Sequence, residues 1–61
     1  MNTEQAKARA LEVRQMYPNL MTVEDIIDSA RLDGVITDKN EVIIIWARLH
    51  RVIRDEQETS K

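Results

Sequence analysis

The feature that most restricts this chain is one apolar stripe toward its C-terminal end. Val42, Ile45, Trp46, Leu49, Val52 and Ile53 fall within about 120° of a helical wheel advanced at about 100° per residue. Val42 to Trp46 alone has the β-branched and aromatic composition of a strand. The helical period continues to Ile53, past the length of an ordinary strand, and so selects a helix. In a chain of 61 residues such a helix must be the element on which the others pack. A chain this short buries only about 60% of the surface that its unfolded form exposes. It contains no Cys, so neither a disulfide nor a thiolate-bound metal supplements the packing. A second chain is the remaining source of buried area.

One Pro and one Gly divide the sequence. Pro18 disfavours helix at Tyr17, and Gly34 takes the left-handed conformation that ends a helix. The expected fold is therefore all-α, with helices over residues 3–16, 22–33 and 38–55, the last the longest. Residues 1–61 form a single small helical domain with loose termini, associating as a dimer.

The first segment is rich in Ala, Glu, Gln, Lys and Arg, which are strong helix formers. Its stripe of Ala6, Ala10, Val13 and Tyr17, with Met16 beside it, is small-sided. Weak packing and a frayed first turn are expected. The second segment opens on Thr22, a good N-cap, with Asp25 at the spacing of a capping box and Met21 and Ile26 placed for a hydrophobic staple. Glu24 and Asp25 suit the positive end of the helix dipole. Val23, Ile26, Ile27 and Ala30 make its apolar face. In the third segment Asp38 and Glu41 repeat the cap spacing. The polar tail, residues 56–61, is expected to be loose.

Composition narrows the function classes. The hydrophobic fraction of 43% and charged fraction of 33% read as globular. A net charge of −2 supplies no global basic field toward nucleic acid or anionic lipid. No apolar run approaches the roughly 20 residues of a membrane span. Met1 to Glu12 is polar and lacks the apolar core of a secretion signal, so a cytoplasmic location is expected. Nucleophilic catalysis needs a Ser, Cys or Thr beside an oriented base. The chain has one His, His50, and no Ser in a nucleophile elbow. Asp25, Asp28, Asp33, Asp38 and Glu41 fall where helix caps and helix-end charges belong. The expectation is a non-enzyme without metal, cofactor or small-molecule substrate.

Two motifs require separate tests. Asp33-Gly34-Val35-Ile36 resembles the centre of an EF-hand calcium loop. In that register the first ligand falls on Ser29 and the third on Arg31. The twelfth, normally a bidentate Glu, falls on Asn40. A guanidinium at a ligand position and the missing bidentate acid argue against calcium. What the resemblance implies is a sharp turn at Gly34 and Ile36 pointing into the core. The second and third helices, joined by a Gly-containing turn, also fit the outline of a helix-turn-helix. Its nucleic-acid contacts would be Lys39, Arg48, Arg51 and Arg54. The first turn of the third helix carries Asp38 and Glu41, a poor set for approaching phosphates.

The third helix also holds more apolar surface than one stripe needs. With Val42 as zero, Ile43 lies near 100° and Ile44 near 200° on the wheel. Either the shorter helices wrap this helix, with Leu20, Met21, Val35 and Ile36 closing the gap, or the surplus is an interface. The interface reading is preferred, with Ile43, Ile44, Ala47, His50 and Arg51 meeting a second copy or another protein. Trp46 anchors either the core or that interface. The expected function is that of a small regulatory or accessory interaction protein, a class frequent among short single-domain chains of bacteria and their phages.

Overall fold

A computed structural model of the chain describes residues 2–59. It consists of three α-helices, α1 (Thr3–Met16), α2 (Val23–Leu32) and α3 (Lys39–Thr59), with no strand among the described residues. Both punctuation marks act as expected: α1 stops at Met16, and α2 is ended by the Asp33–Gly34 turn.

The start of α1 differs from expectation. Asn2 and Gln5 form a capping box: Asn2 Oδ1 accepts from the Gln5 N–H at 2.8 Å, and Gln5 Oε1 accepts from the Asn2 N–H at 3.1 Å. Two of the orphan donors of the first turn are thereby satisfied, and the turn expected to fray is closed. Nor is α1 weakly packed. Ala6, Ala10 and Val13 are buried. Their small side chains let the helix lie close along α3, of which α1 is the more extensive neighbour.

Thr22 caps α2, its Oγ1 accepting from the Asp25 N–H at 3.2 Å. The staple is absent, because Met21 remains 61% exposed and Leu20 packs on the core in its place. At the other end Gly34 has φ +75°. The Gly34 N–H donates to the Arg31 carbonyl at 3.1 Å and the Val35 N–H to the Ala30 carbonyl at 2.8 Å. This is the Schellman pattern, in which a left-handed residue returns two amides to the last helical turn. It feeds Val35 and the buried Ile36 back against the core. A Cβ on Gly34 would meet nothing within 4 Å, so Gly34→Ala carries only the conformational penalty of about 1–2 kcal/mol. The expected result in a thermal melt is a midpoint lowered by roughly 5–15 °C, with Gly34→Asn closer to wild type.

The α3 helix begins on Asp38, whose carbonyl accepts from the Val42 N–H at 3.0 Å and whose carboxylate accepts from the Asn40 N–H at 3.3 Å. Glu41 does not complete a capping box. Its carboxylate takes a tertiary bond from Arg9 Nε at 3.0 Å, while Arg9 Nη2 donates to the Val35 carbonyl at 2.7 Å and Nη1 pairs with Glu12. Arg9 thus ties α1 to the α2–α3 connection and to the first turn of α3. The helix also runs past residue 55 to Thr59, so residues 56–59 of the expected tail are helical. Arg14 explains the extension. Its Nε and Nη2 donate to Glu56 at 3.1 and 3.0 Å, its Nη1 donates to the Tyr17 carbonyl at 3.1 Å, and it also reaches the Leu20 carbonyl. The looseness expected at Met1 and at residues 60–61 lies outside the described residues.

The core gathers Ile45, Leu49 and Ile53 of α3, Val23, Ile26, Ile27 and Ala30 of α2, Ala10 and Val13 of α1, and Ile36. Val42 and Val52 pack partly buried at its edges. The centre of the α3 stripe therefore lies at Leu49, between Ile45 and Ile53. Trp46 is displaced from it and stays 40% exposed.

Tyr17 ties the α1–α2 connection to the far end of α2, its hydroxyl donating to Asp33 Oδ2 at 2.5 Å. That bond, then burial and the Asp33 charge, hold the hydroxyl above its ordinary titration range. The bond needs the protonated phenol. Its contribution is complete below the ordinary tyrosine pKa and disappears as pH rises through the raised folded value. In an ultraviolet titration, Asp33→Asn is expected to bring the Tyr17 transition to lower pH. An unchanged transition would show that the bond does not set it.

Candidate protein-interaction surface

With Ile45, Leu49 and Ile53 turned inward, the helical period sends Ile43, Ala47, His50 and Arg54 to the open side of α3. All four are exposed, as is Arg51. Ile43 is 68% exposed, a large apolar side chain left out of a core that is complete without it. Four of the five residues expected at an interface are thus on or beside one face. The fifth, Ile44, is half-buried. It lies one helical turn from Glu41, on the flank where Arg9 crosses from α1.

Trp46 stands beside this face and is held in place. Its Nε1–H donates to His50 Nε2 at 2.5 Å, and the two rings stack with centroids 6.1 Å apart and an interplanar angle of 18°. Because Nε2 accepts, the bond places the proton of neutral His50 on Nδ1. A half-exposed tryptophan with a polar partner on its own helix is of the residue type that anchors interfaces. Sequence reasoning left Trp46 undecided between core and surface. The i,i+4 spacing of Trp46 and His50 was the available signal.

The charges around the face are unused. Among the described residues, Lys39, Arg51 and Arg54 make no hydrogen bond or ion pair within the chain, in contrast to Arg9 and Arg14. Arg51 and Arg54 border an open groove between α2 and α3, where Val23 meets Ala47, His50 and Ile53. Of the four residues expected to contact nucleic acid, Arg51 joins Arg54 at this groove and Arg48 at another, with Lys7, Val52 and Asp55; Arg48 is half-buried, and Lys39 stands apart at the start of the helix. The α2–α3 connection spans residues 33–38, longer than the roughly 3–4-residue turn of a helix-turn-helix.

Two other surfaces are less suited to a partner. A second groove, between α1 and α3, is lined by Lys7, Leu11, Val52, Asp55, Glu56 and Thr59, and its Glu56 is already held by Arg14. In the loop resembling an EF-hand, the Ser29 carbonyl accepts from Asp33 N–H at 2.9 Å, so the backbone there closes the helix. Among the described residues no group of three or more His, Cys, Asp or Glu is assembled for a metal ion. No described helix is long and apolar enough to cross a membrane. No protein-family model, curated protein or solved structure matches this chain.

Proposed function

We propose that this chain is a small, non-enzymatic protein-interaction module, regulatory or accessory in role, cytoplasmic and without cofactor. It acts by binding through the open face of α3, first of all to a second copy of itself as a homodimer and in the same manner to another protein. The observation that carries this reading is Ile43. It stands 68% exposed beside a pinned tryptophan, on the longest helix, over a core that does not use it. Covering one Ile fully is worth roughly 1.5–3 kcal/mol, a contribution made once by each copy toward offsetting the cost of association.

The test is Ile43→Asp. Because the side chain is exposed, the variant should keep its helical circular dichroism and lose at most about 0.5 kcal/mol of stability. Self-association should weaken more than tenfold. Trp46 emission, which should move to shorter wavelength as wild type is concentrated, should no longer depend on concentration. An unfolded variant would make Ile43 a core residue and sink the reading. So would a folded variant that associates as wild type does. The unpaired cations Arg51 and Arg54 favour one rival, a DNA-binding regulator. Salt-sensitive retention on DNA that Arg51→Ala weakens would support that rival; no retention at low salt is expected.

A further inference from the structure

The α2 helix carries a ridge that matches the open face of α3. Asp25, Asp28 and Leu32, with Met21 just before the helix, follow one another at the steps of a single helical face. All are exposed, Leu32 to 86%. The carboxylates of Asp25, Asp28 and neighbouring Glu24 have no hydrogen-bond or ion-pair partner within the chain among the described residues. On α3, Ile43, Ala47, His50 and Arg54 repeat with the same steps, and Arg51 stands beside them. One ridge is apolar at its ends and acidic between. The other is apolar at its N-terminal end and cationic toward its C-terminal end.

We propose that the occupant of the α3 face is the α2 ridge of a second copy, laid antiparallel. This rests on the reading of α3 as a binding surface. In that direction Leu32 of one copy meets Ile43 of the other, Asp28 lies over the small Ala47 beside Arg51, and Asp25 approaches His50 and Arg54. Met21 then covers the aliphatic stem of Arg54. The parallel direction would pair Met21 with Ile43 and leave Leu32 over Arg54; the antiparallel one is preferred because it joins the two most exposed apolar side chains, Leu32 at 86% and Ile43 at 68%. A two-fold axis that makes the contact twice between one pair of copies closes a dimer, whereas a single contact would propagate into a filament. The charge pairs lie between the apolar ends, where they set register and salt dependence, and Leu32 and Ile43 supply the apolar contact.

The experiment is a charge exchange on the full chain, read by sedimentation. Asp28→Arg and Arg51→Glu should each fold, as circular dichroism will show, and each should dimerise at least tenfold more weakly than wild type. Their equimolar mixture should recover dimer, because both contacts then join opposite charges. If either reversal unfolds the chain, Asp28→Asn and Arg51→Gln serve, each expected to weaken the dimer and its salt dependence. Variants that dimerise as wild type does, or a mixture that stays as weak as its parts, would overturn the α2 pairing. The α3 reading would still stand on Ile43→Asp. A wild-type chain that remains monomeric would overturn both the pairing and the homodimer.

Discussion

Leu49→Ala is expected to leave most of the protein unfolded at 25 °C. Leu49 is fully buried, with Ile45 and Ile53 of the same helix in the core to either side of it. Truncating a buried Leu to Ala removes transfer energy and leaves a cavity, at a cost of about 3–5 kcal/mol. A single core in a chain of this size rarely supplies more than about 3–5 kcal/mol in all. The one substitution therefore matches the whole margin. Urea titration followed by circular dichroism should show the variant without a native baseline, or with a midpoint close to zero denaturant. Ile43→Ala, on the same helix but facing solvent, should melt with wild type at concentrations where wild type is monomeric. Equal losses at the two positions would contradict the division of α3 into a buried and an open face.

Arg14→Ala has the next largest expected effect. The Arg14 side chain is only 11% exposed and holds Glu56 together with the Tyr17 and Leu20 carbonyls. Removing it breaks charge-assisted bonds and strips acceptors at the α1–α2 connection, for a cost of about 2–3 kcal/mol. The effect should also be local. Relative to wild type, exchange at residues 56–59 should accelerate by a larger factor than at Leu49, because the α3 terminus loses its tie to α1. Arg14→Lys should recover only part of the loss, since an ammonium cannot reproduce the planar fork across three partners. Uniform acceleration along α3 in Arg14→Ala would show that Glu56 is not what extends the helix.

The helices themselves were legible because their signals are local. The α3 period, the Thr22 cap and the Gly34 stop each depend on residues within a few positions of one another, and each appears where the sequence places it. Asn2 and Gln5 were equally local, and the closed first turn of α1 could have been read from them. The ends of α3 were less legible because tertiary arginines set them. Arg9 takes Glu41 away from a capping role, and Arg14 holds Glu56 in helix. Neither partnership leaves a trace in periodicity, since the partners belong to different helices. Ile43 and Ile44 show the same limit at the candidate site. A wheel marks both as surplus to one stripe. Periodicity does not decide that Ile44 is half-covered and Ile43 is not; the packing of the three helices does. Trp46 is exposed because the core centres on Leu49, a choice made by the two neighbouring helices together.

On the proposed function α3 has two faces, one closing the core and one closing on a second chain. Sedimentation equilibrium of wild type and Ile43→Asp, from micromolar to millimolar concentration, tests it most directly. The expected result is a wild-type mass that rises from monomer to dimer across the range and a folded variant that stays monomeric. A wild-type chain that is monomeric throughout, or a variant with the same association curve as wild type, would contradict it.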